Sequence, residues 1–416
     1  MAPYESDASK GAAETDEPRA GRRKAARYVV PGAVVGVAAA TIGLVPALAA
    51  SGDPDLPKIT AQQLIEKIAK SDVQQLSGTV KVSTDLGLPD LGGLAGGVLS
   101  GVGQSGDGSS ADPSTKLTEL LTGTHTLRVA ADGPDRQKVS LIESAAEYSL
   151  IHDGKDVWGY DSKSNEVYHG TGADHGKDRG AGRQAPPATP KDFADEALKS
   201  VDDTTSVTVD GTARVAGRDA YRLLVKPKQS GSTVGAITIA VDARTGLPLK
   251  FTLTPSSGGA AVVDAGFTQV SFARPAASTF DFTPPKGAKV TEQGEEKAKG
   301  SGHDRPGPGG DFPGLGEEFA KGFKGGKGGE GFDVLGEGWN SVATFETGAK
   351  GGMPSGSEGG DLGGFLGSFG DKVSGKFGKG TVFSTRLVNA LITEDGKVYV
   401  GAVTKDALVK AANTAK

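Results

Sequence analysis

The chain has no cysteine, which excludes disulfides, thiolate metal sites and cysteine nucleophiles at once. It also lacks the residue on which a bacterial lipoprotein carries its lipid, so this protein is not itself a lipoprotein. Charge of one sign is scarce too: 46 Lys and Arg against 51 Asp and Glu leave a net charge of −5. A nucleic-acid partner would call for a basic domain, and the balance supplies none. Signatures of nucleotide and acyl-transfer chemistry are missing as well. Gly378-Lys379-Gly380-Thr381 lacks the spacing of a phosphate-binding Gly-x-x-x-x-Gly-Lys-Ser/Thr loop. Ser140 and Ser149 fall on strand-like segments without a Gly-x-Ser-x-Gly elbow. Asp202-Asp203 and Glu295-Glu296 sit in polar surroundings and read as solvated charge. Among five histidines, His169 and His175 could meet an ion with Asp174, but their spacing fits no helical or hairpin pair. The sequence therefore points away from an enzyme and calls for no cofactor or metal.

Glycine is what the chain has in excess, 65 residues of 416, and it is clustered, so much of the length is not core. Residues 1–27 are polar and read as a disordered cytoplasmic tail. Arg22-Arg23-Lys24 and Arg27 then precede an apolar run, Tyr28 to Ala50, which makes 28–50 a signal peptide or a signal anchor. Ala47-Leu48-Ala49 offers a small-x-small cleavage site and favours removal, whereas the run is long enough to span a bilayer as an anchor. Lys-Ala-Ala after the arginine pair is a poor twin-arginine signal. In either case the chain from about residue 51 is expected outside the cytoplasm, secreted or held at the outer face of the cytoplasmic membrane.

Residues 51–290 carry strand grammar. Thr60 starts a helix with Leu64, Ile65 and Ile68 on one stripe. Gln74 to Ser83 alternates as a strand, and Leu86 to Ser110 is a Gly/Leu/Ser insertion that could form a flap. Strands are expected at Leu127–Val129, Val139–Leu141, Glu147–His152 and Asp156–Tyr160, the last two joined by Asp153-Gly154. Pro190 opens a second helix. Further strands run over Val207–Val215, Ala220–Val225, Ile237–Val241, Leu249–Leu253, Val262–Phe272 and Thr279–Phe282. Roughly ten to twelve strands are too many for one flat sheet without strong curling. Residues 291–380 read as a Gly/Phe-rich disordered insertion, a linker or a sticky segment for a partner or wall polymer. Residues 381–416 read as a β-hairpin plus a helix capped by Thr404, expected to dock on the barrel.

The candidate binding surface is apolar. Leu127, Val129, Leu141, Leu150, Leu223, Phe251 and Leu253 alternate inward, while Arg128, Lys138, Arg222, Thr238, Lys250 and Thr252 point the other way. An ordinary core explains most of this alternation. A curled sheet with only two short helices would nonetheless leave part of its concave face unfilled, as a lipid or acyl-chain carrier requires. Trp158, like Tyr160, adds bulk with a polar tip and suits the mouth, and Trp158 completes the expected lining set.

At Leu76-Ser77-Gly78-Thr79-Val80, Val215-Ala-Gly-Arg-Asp-Ala-Tyr-Arg-Leu224, Asp242-Ala-Arg-Thr-Gly-Leu-Pro-Leu-Lys250 and Phe280-Asp-Phe-Thr-Pro-Pro285, the chain resembles the bacterial lipoprotein-carrier (LolA-like) family. It also resembles the related N-terminal domain of the sigma-factor regulator RseB. The resemblance covers about residues 58–290. It implies a mainly β fold with a few helices: an open, incomplete antiparallel β-barrel with helices across its concave face, holding acyl chains. The Gly, Ala and Asp usage resembles that of high-GC actinobacteria, so delivery to an outer membrane is not carried over. The function expected is a non-enzymatic carrier binding lipid, an acyl chain or a lipoprotein anchor. The alternative is a membrane-tethered envelope sensor with a membrane-protein partner. A wall-associated protein acting through the Gly/Phe segment is a third reading.

Overall fold

Alternating apolar and polar side chains set the chain into short strands from residue 75 onward. The computed structural model describes residues 53–87, 111, 113, 116, 122–171, 189–292, 332–346 and 370–415. Pro54–Lys416 groups as one compact unit. The expected signal segment, the insertion beyond Gly87, the loop at 172–188 and most of 291–380 lie outside the described residues. No described helix is long and apolar enough to cross a membrane.

The first half supplies β1 (Gln75–Thr84), β2 (Gly123–Asp132), β3 (Arg136–Ile142), β4 (Glu147–Asp153), β5 (Asp156–Asp161) and β6 (Glu166–Thr171). The second supplies β7 (Thr205–Val215), β8 (Arg218–Pro227), β9 (Val234–Asp242), β10 (Pro248–Pro255), β11 (Val263–Ser271) and β12 (Lys289–Glu292). They form one sheet in the order β12-β6-β5-β4-β3-β2-β1-β11-β10-β9-β8-β7. The β1–β11 ladder sews the two halves together, and β12 alone runs parallel to its neighbour, β6. So many twisted strands cannot stay flat. The sheet curls until β7 comes back against β11, and no ladder among the described strands closes it.

Two helices cross the concave face. α1 (Ala61–Ala69) begins with a capping box in which Thr60 and Gln63 satisfy each other's backbone N–H, and it buries Leu64 and Ile68. α2 (Pro190–Lys199) has the same device in Thr189 and Asp192, with Pro190 where a missing N–H costs nothing. α1 lies on β7 and β8, α2 on β10 and β11. The Phe193 ring stacks on Phe251 with centroids 5.3 Å apart. The result is an unclosed antiparallel sheet with helices across its hollow, the open incomplete barrel expected from the strand pattern.

The segment expected as a linker over 291–380 is in part regular structure. Besides β12 it contributes β13 (Phe332–Leu335), β14 (Val342–Glu346), β15 (Asp371–Gly375) and the start of β16 (Gly378–Ser384). With β17 (Asn389–Thr393) and β18 (Lys397–Gly401) these form a second, six-stranded sheet, order β13-β14-β18-β17-β16-β15. α3 (Lys405–Thr414), capped by Thr404, packs Leu408 and Ala412 onto its own core of Val382, Leu391, Tyr399 and Phe377. The terminal hairpin and helix therefore belong to a sheet of their own. A second correction is local: Thr279–Phe282 forms no strand, because a 3-10 turn at Ala277–Thr279 delivers Phe280 into the core instead.

The two sheets meet through main-chain bonds. Thr233 N–H donates to the Ala402 carbonyl (3.0 Å) and Thr404 N–H to that of Gly231 (2.7 Å). Arg386 reaches Asp85 at 2.6 Å. Trp339, raised on a turn at Gly338–Asn340, donates its indole N–H to Thr205 Oγ1 at 2.8 Å.

Candidate functional site

Side chains directly opposite on neighbouring strands share a face, and neighbours along a strand alternate. One row therefore runs Leu223–Ile239–Phe251–Ala265–Val82 across five strands. A second joins Val225, Ile237, Leu253 and Val263. In the first half Val80, Leu127, Leu141 and Tyr148 line up, as do Val129, Val139 and Leu150. Since Phe193 of α2 stacks on Phe251 and Leu64 of α1 packs in the cluster of Leu223, these rows are the concave face.

Seven of the eight residues expected as lining share this face. Trp158 does not. It pairs with Ile151, whereas its neighbour Gly159 pairs with Leu150, so Trp158 and Tyr160 stand on the convex face. The parity is written in the hairpin: a turn between Asp153 and Asp156 sets Leu150 opposite Gly159 and leaves Trp158 outside.

The hollow is also fuller than expected. Leu223 is 0% and Leu127 1% exposed, so neither borders a water-sized space. Val129, Leu141 and Phe251 are buried as well, and Leu150 and Leu253 are half-buried. The described lining is a packed interior under a roof of two helices.

The convex face carries the polar chemistry. His169 stacks on Trp158 with centroids 3.8 Å apart. Its Nδ1 lies 2.7 Å from Glu292 and its Nε2 3.0 Å from Asp156. Burial opposes the imidazolium, and the hydrogen bonds to Asp156 and Glu292 outweigh it, so its pKa is raised. Both nitrogens are thus engaged by carboxylates, while His175 and Asp174, the other members of the conceivable metal set, lie outside the described residues. Among the described residues no cluster of His, Asp and Glu could hold an ion. Ser140 and Ser149 are buried hydroxyls 2.8 Å apart, and Ser149 donates to Glu147. Burial pushes the Glu147 carboxyl up, but these hydroxyls hold it below the usual range. The group is a satisfied polar pair and not a nucleophile with its base.

No family model matches the chain, and no curated protein matches it in sequence. Solved structures are similar at low identity. The Pseudomonas aeruginosa MucA/MucB complex aligns over 85% of this chain and 96% of that one, with 16% identity and a TM-score of 0.39. A LolA superfamily protein from Nitrosomonas europaea aligns over 54% of this chain and 99% of its own, with 12% identity and a TM-score of 0.22. An uncharacterized conserved protein from Thermus thermophilus aligns over 56% of this chain and 99% of its own, with 13% identity and a TM-score of 0.30.

The second sheet touches this site. Leu223, Phe251, Trp339 and Ala402 belong to one contiguous apolar cluster, so the concave face of the large sheet and the junction share packing. The signal for Trp339 stands in the sequence: one of the chain's two tryptophans lies just before Val342-Ala-Thr-Phe345, a short run of strand-favouring residues inside a Gly-rich stretch.

Proposed function

We propose that the chain is an exported, non-enzymatic protein that binds an acyl chain or lipid between α2 and the concave face. The observation that carries this reading is the roof. A continuous apolar surface is covered by two helices of 9 and 10 residues, and α2 buries Pro190 and Ala194 and packs Phe193, Ala197 and Leu198 on the cluster beneath it. Lifting α2 forfeits about 4–7 kcal/mol of apolar burial. A sixteen-carbon chain taking its place gains roughly 12 kcal/mol at about 0.8 per CH₂. Displacement of the roof by a ligand is thus favourable although the empty hollow is packed. The basic stretch before the apolar run at 28–50 supports placement outside the cytoplasm.

The absence of native cysteine makes the test clean. Phe193→Cys with Phe251→Cys pins α2 to the sheet once a thiol-bridging reagent is added. Uptake of a fluorescent fatty acid should be lost in the bridged protein and restored on reduction, with each single-cysteine variant as control. Uptake indifferent to the bridge would remove the site from under α2.

A second reading is favoured by the cluster shared between Phe251 and Trp339. A carrier has no need of a second sheet, whereas a sensor could pass ligand occupancy to it and so to a membrane-protein partner. N-terminal sequencing of the mature protein separates the two: a retained 28–50 anchor suits a sensor, a cleaved one a diffusing carrier.

A further inference from the structure

Resting on the acyl-ligand reading above, we propose that the groove beside α1 holds the phosphate of an anionic phospholipid headgroup. The groove encloses about 850 Å³ between α1, the chain entering it and the β9–β10 turn. Lys58, Lys67, Lys70 and Arg244 line it against Glu66 and Asp72, so cations outnumber carboxylates in a chain whose net charge is −5. Lys70 is paired with Glu66 at 3.8 Å. Lys58, Lys67 and Arg244 have no carboxylate partner among the described residues.

The turn that presents Arg244 is stiff. Asp242, 1% exposed, accepts from the backbone N–H of Arg244 (3.0 Å) and Thr245 (2.7 Å), from the Thr245 hydroxyl, and from Arg218. Burial pushes its carboxyl up, and these donors outweigh it and hold it below the usual range. Gly246 (φ +77°) then brings the turn against the last turn of α1, where any side chain would strike the Lys67 carbonyl. The Asp-Ala-Arg-Thr-Gly segment thus fixes Arg244 beside Lys67, although the turn itself needs only Asp242, Thr245 and Gly246. Arg and Lys on a rigid frame are the donors that phosphate oxygens take.

The groove has a greasy side. Ile59 and Tyr221 belong to the cluster of Leu223 and Phe251, and Val73 packs on that of Leu127. Cations at the rim and apolar surface running inward match an amphiphile with its anion at the mouth and its chains beneath the helices.

Transfer of labelled phosphatidylglycerol and of diacylglycerol of identical chains, which has no phosphate, from vesicles to the full chain tests this at low salt. Two or three charge-assisted contacts should favour the anionic lipid by about tenfold or more. Arg244→Ala with Lys67→Ala, both outside the packed clusters, should bring it down to the level of diacylglycerol. Equal transfer of both lipids, unchanged in the variant, overturns the headgroup site and leaves the acyl reading standing. No transfer of either lipid overturns the acyl reading and this one with it. Millimolar inorganic phosphate binding at Arg244 without competing for phosphatidylglycerol would reassign the groove to a free anion and overturn the headgroup.

Discussion

His169 stands between carboxylates from two other strands, and only the doubly protonated ring can donate to both. Asp156 belongs to β5 and Glu292 to β12, so the imidazolium ties the edge strand to the sheet. Lys289 of β12 and Glu166 of β6, 3.0 Å apart, form a second tie. A raised folded pKa means the stabilisation is fully present below the ordinary histidine value and is lost as pH rises through the folded one. Amide exchange in Lys289–Glu292 should therefore speed up as pH rises above the ordinary histidine value, beyond its intrinsic increase, and His169→Gln should abolish that excess. An intrinsic pH profile in the native protein would dismiss the latch. Nothing in the sequence announces this pair, because Glu292 reaches His169 across 123 residues through a parallel pairing at the sheet edge. Trp158 is the opposite case: its face is fixed by a local turn and is readable from hairpin counting alone.

At the scale of elements, what the sequence conveys follows how local the determinants are. Capping boxes at Thr60 and Thr189 and the alternation of Leu223, Phe251 and Leu253 are contained in short windows, and those elements stand where their patterns place them. β13 and β14 are masked by glycine-rich composition, since strands of 4 and 5 residues draw their stability from distant packing. The turn at Gly338–Asn340 is that packing in concentrated form. Gly338 (φ +55°) sits against Thr204, Trp339 is 6% exposed, and Asn340 donates to the Ser230 carbonyl at 3.0 Å. Trp339→Ala should cost about 3–5 kcal/mol in urea unfolding, as the indole and its cavity are lost together. Trp339→Phe keeps most of the burial and loses the bond to Thr205, so about 1–2 kcal/mol is expected. Equal costs for the two variants would place the anchor in the hydrogen bond and not in the packing.

For the whole molecule, the number of strands forces curling, but not what fills the hollow. Alternation shows which side chains share a face; whether Leu127 and Leu223 border space or each other depends on helix placement, which no strand pattern encodes. The same holds for the joining of the two sheets. Their junction combines main-chain bonds at Thr233 and Thr404, the Arg386–Asp85 pair and an apolar cluster running from Phe251 to Trp339. Such a seam should make them unfold together. The chain's two tryptophans report on it separately, Trp158 from the large sheet and Trp339 from the seam. With Trp158→Phe and Trp339→Phe made one at a time, each corrected for its own stability cost, urea transitions read from the remaining indole should coincide. A Trp339 signal that moves at lower urea would mean that the second sheet undocks first. Coupling between lipid occupancy and a partner would then have to run through undocking and not through the shared cluster. Coincident transitions that both shift to higher urea when a fatty acid binds would instead place ligand and second sheet on one cooperative unit, as linkage requires of a protein that reports what it holds.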